Sequence, residues 1–195
     1  ILPRMHSQRG LLCLLIAVLC YAPSVDARVT RVEIASRADV LNGAAFGVTG
    51  AYERLTGRVY FSASVANPHN SGIVDLKNAV NLKRGEVDFS ADFVALRPKD
   101  PHKNNGSMLL ENPNRGHSRI LTLVDGGDWD AASNAGDGWL LRHGFTYVSL
   151  GWQWDAAGDD ALRLYAPIAK ENGKTITGLL RGDLMPSKPM SEIPL

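Results

Sequence analysis

Two short segments concentrate residue types that do chemistry: Asp125-Gly126-Gly127-Asp128-Trp129-Asp130 and Gly151-Trp152-Gln153-Trp154-Asp155. In the first, the glycine pair can turn the backbone N–H groups of Gly126 and Gly127 toward an oxyanion. Its three aspartates can instead surround a calcium ion, although the spacing lacks the run to a glutamate that completes an EF-hand loop. It also reads as a plain polar loop. In the second, Trp152, Gln153 and Trp154 can line a pocket or stack on a sugar ring, or can be core and rim at a strand end. Gly126, Gly127, Trp152 and Gln153 are the oxyanion and pocket candidates.

No catalytic nucleophile is expected. Ser149, in Tyr147-Val148-Ser149-Leu150-Gly151, has the second glycine of G-x-S-x-G but Tyr147 where the first belongs; the sharp strand-to-helix turn needs both. Ser107 sits at a loop tip. His69, His102, His117 and His143 have no ligand-type spacing, and Cys13 and Cys20 both lie in an N-terminal apolar run, so no metal site is expected. Neither G-x-G-x-x-G nor G-x-x-x-x-G-K-[ST] occurs, and no cofactor is expected.

These residues need elements to position them. Arg28–Ser36 and Ala51–Val65 have strand character, the second with Leu55, Val59 and Phe61 on one face and Gly57 as a bulge or bend. Val87–Leu96 alternates cleanly, with Val87, Phe89, Ala91, Phe93 and Ala95 opposing Asp88, Ser90 and Asp92. Residues 28–98 therefore read as a β-rich, antiparallel section. Ile73–Leu82 is ambiguous and Arg97–Ser107 is a solvent loop. Beyond it, Met108–Asn112 reads as a short strand and Ile120–Val124 as a strand buried on both faces. Asn134–His143 reads as a helix stopped by a left-handed Gly144, with His143 favourable against the helix dipole. Phe145–Leu150 is the next strand. The expectation is a βαβ unit in which 120–124 and 145–150 are parallel neighbours.

The chain has 195 residues, 45% apolar and 21% charged, with a net charge of +1. This is the size and composition of one globular domain, and it lacks the clustered positive charge that nucleic-acid binding requires. Ahead of residue 28, Met5 and Arg9 precede an apolar run, Leu11–Ala22, too short to span a bilayer. Val25 and Ala27 supply small residues at a cleavage site. Residues 1–27 are thus expected to be a signal peptide with the upstream Ile1–Arg4, and the protein to be secreted or periplasmic without a stable membrane anchor. Loss of Arg4, Arg9 and Asp26 leaves acids and bases equal in number.

Several segments together resemble a family of secreted or periplasmic bacterial α/β-hydrolase-domain proteins. They are Gly50-Ala51-Tyr52-Glu53-Arg54-Leu55-Thr56-Gly57-Arg58, Ala66-Asn67-Pro68 with Ile73-Val74-Asp75-Leu76, Ser90-Ala91-Asp92-Phe93, and Asn114-Arg115-Gly116. Most telling is Ala135-Gly136-Asp137-Gly138-Trp139-Leu140-Leu141-Arg142-His143-Gly144-Phe145-Thr146, running into Gly151-Trp152-Gln153. Ala166-Pro167-Ile168-Ala169 and Ile176-Thr177-Gly178 resemble the family's next strand region. The resemblance implies an α/β fold: an N-terminal antiparallel β section followed by the start of an α/β-hydrolase-type sheet. It also implies hydrolysis of a small-molecule carboxylic ester or related acyl bond. The family's serine elbow, acid and histidine would lie beyond residue 195, so residues 28–195 are expected to be the N-terminal part of such a domain, incomplete and without the nucleophile. The loop Asp125–Asp130 is shorter than its family counterpart. The alternative is a non-catalytic secreted binding module using Trp152 and Trp154 as a platform.

The leader makes a direct prediction. N-terminal sequencing of exported protein should begin at Arg28; a membrane-bound product starting at Met5 would exclude cleavage there.

Overall fold

The computed structural model describes residues 27–128 and 133–179. The expected signal peptide lies, except for Ala27, outside the described residues. Three long strands dominate: β1 (Arg28–Asp39), β3 (Gly50–Ser64) and β4 (Glu86–Pro98), with the two-residue β2 (Ala45–Phe46) folded against β3. β1–β3 and β3–β4 are antiparallel, as the alternation of residues 28–98 implies. Gly57 pairs with Ile34 beside a register shift on β1; a Cβ there would stand 1.9 Å from the Glu33 carbonyl oxygen. The glycine thus permits close approach of β1, and the bulge itself lies on the partner strand. Phe61 and Phe89 stack across the β3–β4 ladder at 5.0 Å, the kind of cross-strand pair that stabilises a sheet. Ile73–Leu82 forms a looped segment with a 3-10 turn at Leu76–Asn78.

The sheet continues through β5 (Met108–Glu111) and β6 (Thr146–Leu150). Its order is β1-β3-β4-β6-β5, with β6 antiparallel to β4 and parallel to β5. This is a mixed, α/β-type arrangement with few helical residues. β7 (Leu164–Tyr165) extends the β4 edge beyond β6, and β8 (Lys170–Glu171) and β9 (Lys174–Thr175) form a separate hairpin. The region resembling a further strand, residues 166–178, is therefore mostly turn and hairpin.

The crossover between the parallel strands corrects the expected βαβ unit. Residues 120–124 are not a strand: they belong to helix α1 (Ile120–Asp125), and the parallel neighbour of β6 is β5. A short apolar run does not by itself distinguish a buried strand from a helix. Here only one side of the run is buried: Leu121 is inside, whereas Leu123 is 73% exposed. The expected helix over Asn134–His143 contracts to α2 (Trp139–Arg142). Gly136 and Gly138, at φ +62° and +66°, hold the preceding segment in left-handed backbone that a helix cannot continue through. Gly144 does stop the helix at φ +75°. His143 Nδ1 lies 2.7 Å from the Trp139 carbonyl, in the last turn.

The main core lies between this crossover and one face of the sheet. Leu121, Leu140 and Leu141 from the helices pack with Tyr52, Leu96 and Tyr147 from β3, β4 and β6. The Tyr52 hydroxyl donates to the Phe145 carbonyl at 2.9 Å, and Thr49 Oγ1 to the Arg142 carbonyl at 2.8 Å, fastening the end of α2 to the β3 hairpin. On the opposite face Leu55, Phe93 and Ala95 form a smaller cluster with Val59, Val148 and Leu150.

Because Leu141 is fully enclosed, Leu141→Ala should cost about 2–5 kcal/mol in urea unfolding. Leu123→Ala, on the exposed side of α1, should cost less than about 0.5 kcal/mol. Equal costs would contradict this packing.

Candidate functional site

Sites in α/β proteins form beyond the carboxyl ends of parallel strands. Here β5 and β6 are the parallel pair, and two loops leave their carboxyl ends: residues 112–119 and 151–163. The first begins at Glu111, which is opposite Ser149 in the ladder. Glu111 Oε2 meets the hydroxyls of Ser118 and Tyr147, which also hydrogen-bond to each other, and its Oε1 accepts from the Arg119 amide at 3.1 Å. A carboxylate with several donors satisfies the buried hydroxyls and fixes where the loop re-enters the fold. Burial pushes the Tyr147 phenol above its ordinary value, so it remains a protonated donor at neutral pH.

The second loop is stitched onto the first. Arg115 N–H donates to Gln153 Oε1 at 2.5 Å, and the Arg115 guanidinium pairs with Asp155 at 2.9 Å. The Trp152 indole N–H donates to the Pro113 carbonyl at 2.8 Å, and the Leu162 amide to the Gly116 carbonyl at 2.9 Å. His117 Nε2 lies 3.1 Å from Asp160 Oδ1, and this contact holds the Asp160 carboxyl below its usual range. A Cβ on Gly116 would stand 2.7 Å from that of Ala161, and its φ is +83°, so glycine is required where the loops touch. Beside them, an open cleft of about 600 Å³ crosses the sheet, with Arg54, Thr56, Arg58 and Val94 along it and Asp159 and Asp160 in its lining. Its size suits a small molecule.

The structure separates the candidate residues into two groups. Trp152 and Gln153 stand at the carboxyl end of β6, within the stitched loops. Gly126 and Gly127 do not, and their expected oxyanion role meets a physical obstacle. They follow a helix rather than a strand, and their N–H groups cap it: Gly126 bonds the Thr122 carbonyl at 3.2 Å and Gly127 the Leu121 carbonyl at 3.3 Å. Gly127 is buried against residues 134–136, where a Cβ would clash with backbone. The calcium alternative divides as well: Asp125 Oδ1 accepts from the Leu140 amide, Asp128 Oδ2 from Ser133, and Asp130 lies outside the described residues. Among the described residues no three His, Cys, Asp or Glu side chains cluster to hold a metal. Ser149 is wholly enclosed, and its Oγ finds no hydrogen-bond partner within normal limits, although it is near enough to influence the Tyr147 hydroxyl.

Comparison with protein-family models, curated proteins and solved structures returns no match. The chemistry must be argued from geometry. Sequence reading missed the Glu111–Ser118–Tyr147 cluster and the His117–Asp160 pair. The one local signal was Glu111, a carboxylate closing an apolar strand; the rest are contacts between distant segments.

Asp125 gives a testable electrostatic consequence. It is buried, with Oδ2 unpaired, and burial raises its carboxyl above the ordinary value, with the Leu140 amide opposing. The folded chain then binds this proton more tightly than the unfolded chain. The associated stability is fully present below the ordinary carboxylate value of about 3.9 and is lost as pH rises through the raised one. Asp125→Asn should therefore be more stable than wild type at about pH 7, the gap shrinking toward about pH 4. Urea midpoints at both pH values measure it; a variant less stable at neutral pH would contradict the assignment.

Proposed function

We propose that the chain forms the opening part of an α/β-hydrolase-type sheet, belonging to a secreted or periplasmic enzyme that cleaves a small carboxylic ester or related acyl bond. One observation carries the reading: the strand order β3-β4-β6-β5. An antiparallel pair comes first, the later of the next two strands lies beside it, and the earlier one lies outside, parallel to its neighbour. An α/β-hydrolase sheet begins in this order. Of the stretches that resemble the hydrolase-domain family, those at 50–58, 90–93, 114–116, 135–146 and 151–153 fall on β3, β4, the loop after β5, α2 with its approach to β6, and the loop after β6; those at 66–76 and 166–178 fall on loops and a hairpin outside the ordered strands.

In such a sheet one oxyanion donor comes from the loop after the outer parallel strand. Here that loop is residues 112–119, so the oxyanion role belongs to it and not to Gly126 and Gly127. Arg115 and Gly116 turn its backbone with φ values of +56° and +83°, and the Arg115 amide already donates to an oxygen, that of Gln153. Trp152 and Gln153 form the adjoining wall. The acyl-transfer mechanism needs a serine activated by a histidine, with the developing negative charge on the substrate oxygen held by backbone N–H groups. Ser149 is enclosed and Ser118 is bound to Glu111 and Tyr147, so neither supplies that nucleophile.

Two measurements test the reading. The coding sequence downstream of codon 195 should contain a G-x-S-x-G segment in some frame, and the joined product should hydrolyse short p-nitrophenyl esters. The chain by itself should neither turn them over nor react with a fluorophosphonate probe. Absence of any such segment downstream, or labelling of a serine within this chain, would overturn the proposal.

A further inference from the structure

The loop after β6 carries an aromatic surface of which the hydrolase reading uses only Trp152, leaving Trp154 without a role. Trp154 is 75% exposed and Trp152 is 49% exposed. Single exposed apolar side chains are ordinary, but two tryptophans separated only by Gln153 offer large flat faces to solvent from one short segment. Their setting is built. The Trp152 ring is tied through its N–H to the Pro113 carbonyl, Gln153 is tied to the Arg115 amide, and Asp155, adjacent to Trp154, holds the Arg115 guanidinium at 2.9 Å. Arg163 braces the loop from within, donating to the Ala156 carbonyl at 2.7 Å and to the Gly158 carbonyl. Trp152, Gln153, Arg115 and Asp155, fixed in this way, lose little freedom when a ligand arrives.

We propose that Trp152, Trp154, Arg115 and Asp155 form a platform that binds a pyranose unit of a neutral saccharide. The chemistry of the surface selects that class. The C–H-rich face of a pyranose stacks on an indole ring, while its ring of hydroxyls needs donors and acceptors alongside. An Arg–carboxylate pair and an amide side chain supply both. Polyanions fit poorly: across the two loops Asp155, Asp159 and Asp160 balance Arg115, Arg119 and Arg163, leaving no excess of cations. That balance disfavours nucleic acid, sulfated polysaccharide and anionic lipid surfaces, which require clustered cations. A protein partner of ordinary affinity requires a wider apolar patch with few charges at its centre, whereas the same two loops carry the Arg115–Asp155 and His117–Asp160 pairs. The site binds without turnover; it shares Trp152 and Arg115 with the wall and loop of the hydrolase reading, but saccharide binding and ester turnover are read by separate assays, so the failure of one is distinguishable from the failure of the other.

The test is titration of the purified full chain with cellohexaose, chitohexaose and maltohexaose, followed by tryptophan emission and calorimetry, with a heparin hexasaccharide as the anionic comparison. At least one neutral hexaose should bind with Kd below about 1 mM, more tightly than the heparin fragment. Trp154→Ala should weaken it about tenfold or more, the scale of one lost aromatic contact. Trp154→Tyr, which keeps a stacking face, should stay within about threefold of wild type. Because Trp154 is largely exposed, both variants should keep the wild-type circular dichroism spectrum; if Trp154→Ala fails to fold, Arg115→Ala takes its place with the same expected direction. No binding to any neutral hexaose, binding indifferent to these substitutions, or preference for heparin would overturn the proposal.

Discussion

The architecture depends on one junction, at Asp92. The edge of β4 that faces away from β3 is shared by two partners: β6 pairs with Phe93–Leu96, and β7 pairs with Ser90–Ala91. Between them the Asp92 backbone accepts from the Gly151 amide and donates to the Arg163 carbonyl, each at 2.9 Å. Its carboxylate accepts from Arg58, from the Arg163 amide and from the Tyr165 hydroxyl, while Arg58 also lies 4.0 Å from the Tyr165 ring centroid. The chain therefore departs β6 at Gly151 and must return at Arg163, directly alongside. A Cβ on Gly151 would stand 2.6 Å from the Arg163 backbone. Everything between those residues is an excursion with closed ends, and Trp152, Gln153, Trp154, Asp155 and Asp160 all ride on it.

A closed excursion still needs a second support to hold a shape, and the loop after β5 provides it. Glu111 orders that loop by fixing Ser118 and Arg119, while Tyr147 ties the same carboxylate to β6. Buried polar clusters of this kind stabilise only when their members are satisfied, and the hydroxyls of Tyr147 and Ser118 meet that condition through Glu111. With both loops anchored at their bases, the contacts between their tips join segments that are already positioned: Arg115 to Gln153 and Asp155, and His117 to Asp160. The crossover is tightened separately. Asp125 and Gly136 approach so closely that a Cβ on Gly136 would lie 1.7 Å from the Asp125 carbonyl oxygen, and the Asp137 amide donates to that oxygen at 2.7 Å. The glycines flanking the crossover thus pack backbone on backbone, a use unlike the ligand-facing one their sequence context suggests.

Legibility in the sequence followed the range of the determining interactions. β1, β3, β4 and β6 were readable because alternation and β-branched content are local properties, and Gly144 was readable as a helix stop for the same reason. Residues 120–124 were misread because an apolar run of that length carries no period, and what decides its form is the Gly126-Gly127 cap and the one-sided burial of Leu121. The contraction of the helix before Gly144 was foreshadowed by Gly136 and Gly138, whose positive φ values cost a helix but cost a glycine turn nothing. The site divided in the same manner. Trp152 and Gln153 were found from composition, whereas the Glu111–Tyr147 and Asp92–Arg163 contacts join residues more than thirty positions apart, beyond any local pattern.

The two outer strands show how unequal the sheet's edges are. An unpaired edge invites association unless charge, bulges or a cover protects it. β1 carries Arg28, Arg31, Glu33 and Arg37, is interrupted by two register shifts, and is clipped to its neighbours by Arg28–Glu86, Arg37–Glu53 and Lys99–Asp39. Its exposed Val29, Val32 and Ile34 are thus interleaved with charge. Among the described residues β5 has no such protection: Met108 and Leu110 are exposed, and the strand's single charge, Glu111, is turned inward to Ser118 and Tyr147. By register Leu110 lies beside Val148, on the face where Leu55, Phe93 and Ala95 gather. One edge is screened by charge and the other is apolar. An edge without outward-facing charge of its own pairs more readily with another strand than one interleaved with arginine and glutamate.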